Sequence, residues 1–93
     1  MNLDYEMIEK EIIRTLHFPD IDVLEAKDEM RQRDSDLDRA LSLGNLEHGK
    51  TRIYFEDDTS KKVVETTIWG VTDKRVILKQ GVVIPINRIY KSQ

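Results

Sequence analysis

Few residues in this chain are placed for covalent chemistry. The only histidines, His17 and His48, match no zinc-binding spacing such as H-E-x-x-H. His17 falls just before Phe18-Pro19, and His48 lies in the turn E-H-G-K. The chain has no Cys, which excludes disulfides, thiolate nucleophiles and zinc-thiolate sites. The carboxylate pairs Asp20/Asp22 and Asp57-Asp58 stand where loops and helix starts routinely use Asp. No Ser or Thr sits in a nucleophile elbow. The four glycines form neither a phosphate loop nor a dinucleotide fingerprint. These residues point away from an enzyme and imply no metal and no cofactor.

Recognition chemistry is better represented. The stretch V-V-E-T-T-I-W-G-V-T, residues 63–72, holds the only Trp and a dense run of β-branched residues. In an extended strand Val64, Thr66, Ile68 and Gly70 share one face, and Val63, Glu65, Thr67, Trp69 and Val71 share the other. With Ile68 in the core, Trp69 points outward, where it either packs under an N-terminal helix or meets a partner. The cations are Arg39, Lys50, Arg52, Arg75, Lys79 and Arg88. Of these, Arg52, Lys79 and Arg88 have inward-pointing neighbours, so they are expected to be exposed together. A solvated sheet face has this pattern, and so does a surface for base stacking or a protein hot spot. The candidate nucleic-acid or partner-binding residues are therefore Arg52, Trp69, Arg75, Lys79 and Arg88.

The elements that must position them divide at Gly49. Tyr5, Ile8, Ile12 and Leu16 follow a helical period, with Ile13 widening the stripe, which predicts an amphipathic helix over 4–17. Asp4 can cap it, and Phe18-Pro19 ends it. A second helical stretch is expected from Asp22, where Glu25 completes a capping box. Leu37, Ala40 and Leu41 carry its apolar stripe, and Gly44-Asn45 reads as its stop. Residues 22–43 fit either one helix or two. After Gly49 the period becomes two. Ile53 and Phe55 alternate with Arg52, Tyr54 and Glu56, D-D-T-S-K is a loop, and Val63 to Thr72 is a strand bent near Gly70. A turn at 72–74, a strand from Arg75 to Lys79, a turn at Gln80-Gly81 and a strand from Val82 to Ile86 complete a meander. Pro85 marks the last of these as an edge strand, and Asn87 to Tyr90 reads as a turn that drops Ile89 into the core. The expected fold is α+β: a helical arm over 1–46 packed on a small, strongly bent antiparallel barrel over 47–93. Its core is expected to include Ile53, Phe55, Val64, Ile68, Val76, Leu78, Ile84, Ile86 and Ile89.

Ninety-three residues suffice for one domain. Hydrophobic residues make up 39% and charged residues 35%, which is polar but not the composition of a disordered chain. The charge is uneven. Residues 1–49 carry 6 Lys/Arg and 13 Asp/Glu (−7), and residues 50–93 carry 9 and 5 (+4), in agreement with the total of −3. An acidic half can neutralise a basic one, or leave the basic half to a polyanion. No apolar run approaches a membrane span, and the acidic start is unlike a signal peptide. A cytoplasmic protein without membrane contact is the expectation.

The order of a strand, an acidic turn, a bent strand with a Gly and two further strands ending in I-P-I-N-R-I resembles the small SH3-like barrels of the Sm-like class. That class includes the bacterial RNA chaperone Hfq and the Rho-binding antiterminators. The chain is also similar to a family of short bacterial proteins, of Bacteroidota type, with G-N near the middle and V-E-T-T-I-W and I-P-I near the end. The barrel resemblance covers about 40 residues. It implies a non-enzymatic, RNA-associated or transcription-related module. The Lys-His pair of the Hfq pocket is absent, because Asn87-Arg88 stands there, so that RNA site is not inherited. The other reading is a protein-interaction or self-assembly module, including a homo-oligomer, that uses an exposed barrel edge.

Overall fold

Residues 4–93 are described in the computed structural model, and their elements follow the change of period at Gly49 while departing from it before Lys27. A single helix, α1, runs from Lys27 to Glu47. Its buried residues Arg33, Leu37, Ala40 and Gly44 are spaced by four, three and four and so form one stripe. Residues 27–43 are thus one helix, and its start lies beyond Asp22. The Asp22 carboxylate instead accepts the Leu24 N–H at 2.8 Å and both Arg33 terminal nitrogens at 2.9 Å, tying the preceding loop to α1.

The predicted stop at Gly44-Asn45 comes too early. The helix continues to Glu47 and closes on His48 in the left-handed region (φ 55°), with His48 N–H on Gly44 O and Gly49 N–H on Leu43 O. Gly44 serves the packing. A Cβ there would lie 2.6 Å from the Ile68 carbonyl oxygen, so only Gly lets the helix approach the sheet this closely.

The strands are β1 (Glu6–Met7), β2 (Thr51–Glu56), β3 (Lys61–Thr66), β4 (Ile68–Val71), β5 (Arg75–Leu78), β6 (Val83–Pro85) and β7 (Ile89–Ser92). They form a four-stranded sheet in the order β1-β3-β2-β7 and a three-stranded sheet in the order β4-β5-β6. All pairings are antiparallel except β1 with β3. The strand expected over 63–72 is divided at Thr67, where the chain leaves one sheet and enters the other. The strands therefore make two sheets and not one closed barrel, and α1 packs against an edge strand of each, β4 and β7. Pro85 does sit on an edge strand. The segment 86–90 is more than a turn: a short 3-10 turn at Ile86–Arg88 leads into β7, which pairs with β2.

The helix predicted over 4–17 is replaced by β1 and a 3-10 helix, Lys10–Thr15. Tertiary contacts hold this segment in its shape. The Tyr5 ring meets Tyr54 edge-on at 4.9 Å, Ile8 N–H bonds Val63 O at 3.0 Å, and Phe18 packs on Phe55 at 6.0 Å. Isolated helices this short are marginal, so contacts with the sheet decide the backbone. Among the described residues before α1, Ile13 alone is fully buried, with Ile8, Leu16 and Phe18 partly buried against the same core.

The nine residues expected in the core are all buried, and Ile13, Leu37, Ala40 and Val82 join them. No helix among the described residues is long and apolar enough to cross a membrane.

Candidate binding face on the three-stranded sheet

Alternation along β5 buries Val76 and Leu78 and turns Arg75, Ile77 and Lys79 outward. Ile77 pairs with Val83, and Arg75 pairs with Pro85. On the other side of β5, Ile68 pairs with Leu78 and Gly70 with Ile77, which leaves Trp69 as the extra residue of a β-bulge. Next to inward Ile68, Trp69 points outward and is 55% exposed, and the bulge re-aims the chain beyond it, so that Val71 packs on the core. It is not covered by the N-terminal segment: β1, Tyr5 and Phe18 pack on the four-stranded sheet, and the 3-10 helix meets the three-stranded sheet only at its far edge, β6. The outer face of the three-stranded sheet thus carries Trp69, half-buried Ile77 and exposed Val83, with Arg75 and Lys79 at either end of β5.

Turn chemistry holds this face. Thr72 Oγ1 accepts the N–H groups of Lys74 and Arg75 at 3.2 and 2.9 Å, closing the β4–β5 turn. At the opposite end Gln80 and Gly81 both have positive φ, 69° and 78°, as a two-residue hairpin turn requires. Lys79 N–H bonds Thr67 O at 3.0 Å, tying the end of β5 to the corner between the sheets. Arg14 donates to Gln80 O at 2.9 Å and adds another cation beside that turn.

Of the five residues expected to bind together, the structure gathers Trp69, Arg75 and Lys79. Arg52 is exposed on the four-stranded sheet, across from Glu65 at 3.9 Å. Arg88 is not exposed with Arg52 and Lys79; it is buried. Its guanidinium donates to the backbone oxygens of Glu56 (3.0 Å), Ile21 (2.6 Å) and Asp57 (3.2 Å). It therefore clamps the 21–22 loop and the end of β2 to the 3-10 turn before β7. Of the other cations, Arg39 is exposed beside Asp36, and Lys50 is exposed before β2. Ile77 and Val83 were missed as surface residues, although Ile77 between inward-pointing Val76 and Leu78 carried the signal.

The outer face of the four-stranded sheet is different. A second bulge, between the pairs Tyr54–Lys91 and Phe55–Ile89, makes Tyr90 the extra residue. All three tyrosines of the chain meet there: Tyr5 lies 4.9 Å from Tyr54 and 6.0 Å from Tyr90, both edge-on. The Lys61 ammonium sits over Tyr5 and Tyr90, and the Lys91 ammonium over Tyr54. Tyr90 donates its hydroxyl to Glu56 Oε1. Burial first, then that hydrogen bond, pushes the phenol up to about 12. Tyr54 is nearly covered, so these rings are already partnered within the chain.

The β2–β3 hairpin holds the most polar buried cluster. Asp57 Oδ1 accepts Lys62 Nζ at 3.0 Å and the backbone N–H groups of Thr59 (3.1 Å) and Ser60 (3.0 Å). Burial is the largest influence and pushes its carboxyl up. The donors of Ser60, Lys62 and Thr59 together outweigh it and bring the group down to about 2. Ser60 Oγ lies 2.7 Å from Lys62 Nζ, the distance of a serine–lysine dyad. Lys62 Nζ is engaged at the same time by Asp57 Oδ1, at 3.0 Å. The cluster staples the hairpin. Among the described residues no group of three or more His, Asp or Glu side chains is placed to hold a metal ion.

In comparisons with known proteins no family model matches the chain, and neither does any curated protein or solved structure.

Proposed function

We propose that this chain is a non-enzymatic binding module that docks a protein partner on the outer face of the three-stranded sheet. One observation carries the reading: a 55% exposed Trp beside the outward aliphatics Ile77 and Val83, with Arg75 and Lys79 flanking them. Interface hot spots have this composition, an aromatic anchor among apolar groups with Arg at the margin. The two cations favour a partner with carboxylates around an apolar pocket. The contact is made by a face and not by a strand edge. β6, the outer strand of this sheet, has three residues, and one is Pro85, which blunts pairing.

The finer architectural reading is an Sm-like or SH3-like module. The chain order supports it: one helix, then β2-β3, a corner at Thr67, β4-β5-β6, and a 3-10 turn into a last strand that returns to β2. That order agrees with the resemblance in residues 50–90. RNA is the second reading, because an exposed indole between two cations is also a base-stacking platform.

Trp69 is the only indole, so its emission reports on either ligand in the unaltered chain, and the anisotropy of a fluorescein-labelled ligand reports on every variant. The test titrates candidate acidic protein partners and a mixed RNA pool at 50 and 200 mM salt. Protein docking predicts that Trp69→Ala costs about 2 kcal/mol or more of affinity, with a shallow salt dependence. RNA binding predicts a loss of affinity that scales with the phosphates neutralised. Unchanged affinity in Trp69→Ala and in the double variant Arg75→Glu/Lys79→Glu would remove this face from either role.

A further inference from the structure

The short strand β1 is anomalous in the fold. It pairs over two residues, Glu6 with Lys62 and Met7 with Val63, and it is parallel in sheets that are otherwise antiparallel. Both of its residues are exposed. A ladder this short contributes little, and such segments open at the low end of the local stability range. Tyr5 and Ile8 anchor the segment from opposite sides. Tyr5 and Ile8 are three positions apart, so in extended chain they point to opposite faces. Tyr5 meets Tyr54 and Tyr90 on the outer face, and Ile8 packs against the core. Just beyond the two-residue ladder, Ile8 N–H bonds Val63 O at 3.0 Å and extends the register beside β3.

This is the geometry of a peptide adding to a sheet edge. Main-chain bonds give affinity there, and pockets on alternate faces give specificity. We infer that the outer edge of β3 is a strand-accepting site, filled within the chain by residues 5–8, that takes an extended peptide with an aromatic residue three positions before an aliphatic one. The occupant is read from the chain's own segment, Tyr5-Glu6-Met7-Ile8, which displays the chemistry the edge accepts. The site lies on the four-stranded sheet and stands independently of the Trp69 face. A tethered segment competes at an effective concentration on the order of millimolar, so an incoming peptide is masked until the internal strand is weakened.

The experiment uses the intact chain and a fluorescein-labelled peptide of residues 4–10, D-Y-E-M-I-E-K, followed by anisotropy. Tyr5→Ala removes the internal aromatic anchor and leaves Tyr54, Tyr90 and β3 unchanged. The variant is expected to bind the peptide at least about 10-fold more tightly than the unaltered chain, because the internal competitor is weakened. A peptide with its Tyr replaced by Ala is expected to bind neither protein. A Tyr5→Ala protein with an unaltered circular-dichroism spectrum and no gain in peptide affinity would overturn the inference. So would a variant that dimerises in sedimentation equilibrium and excludes the peptide, since the occupant would then be a second copy. Amide exchange in the unaltered protein gives a readout independent of the variant's folding. The Ile8 N–H is expected to exchange at least about 10-fold faster than the N–H of Phe55 in β2, and equal protection would show that the edge does not open.

Discussion

At the residue scale, the hairpin ion pair contributes to stability against acid. The folded-state pKa of Asp57 lies at about 2, below the ordinary 3.8. Its stabilisation is therefore present above about pH 4 and is lost as pH falls toward 2. The shift corresponds to about 2 kcal/mol. Asp57→Asn leaves Lys62 buried without its counter-charge and is expected to cost about 3–5 kcal/mol in urea unfolding at pH 7, with a flatter stability profile between pH 4 and 2. Tyr90 acts at the other end. Its pKa is raised to about 12 from 10, so the stability it contributes is present below pH 10 and lost as pH rises through 12. Tyr90→Phe is expected to reduce the slope of melting temperature against pH in that window. The buried role of Arg88 could not be read from the alternation around it. Its partners are three backbone carbonyls, two of them more than 30 residues away and the third, on Ile21, 67 residues away.

At the element scale, two bulges shape the sheets. Each inserts one aromatic residue, Trp69 in β4 and Tyr90 in β7, and each ring lies on an outer face. Gly70 in the sequence announces the first bulge, while nothing near Tyr90 announces the second. The contact between α1 and β4 depends on Gly44. In an open helix Gly→Ala would gain about 1 kcal/mol. Here the added methyl meets the backbone oxygen of Ile68 at 2.6 Å, and Gly44→Ala is expected to lose about 1–3 kcal/mol. A melting temperature at or above that of the unaltered protein would show that the helix can shift away from the sheet at no cost.

At the scale of the whole molecule, the arm and the helix share the work of covering the two sheets. The arm crosses the four-stranded sheet through Tyr5, Ile8 and Phe18, and α1 packs on β4 and β7. Neither covers Trp69. The indole is therefore wet in the folded state, and its emission is expected to shift little on unfolding in urea, while far-ultraviolet circular dichroism changes fully. A large red shift on unfolding would show that Trp69 is covered in solution.

Local pattern determined the elements whose contacts are local. The period of two after Gly49 placed β2, β5 and the edge strand with Pro85, and the alternation identified nine core residues that are all buried. Hydrophobic burial is the same whichever strand lies opposite, so the core could be read without the topology. The turn residues Gln80-Gly81 were legible for a similar reason, since positive φ is a local demand. Tertiary structure alone decided the rest. An α-helical period over residues 4–17 gave way to a short strand and a 3-10 helix because Tyr5 and Ile8 gain more from the sheet than a short helix gains from its own bonds. The corner at Thr67, the burial of Arg88 and the meeting of Tyr5, Tyr54 and Tyr90 bring together residues far apart in sequence. Within the candidate site, Trp69 pointing outward was readable from alternation. Its freedom from the N-terminal arm was not, because that depends on which sheet the arm pairs with.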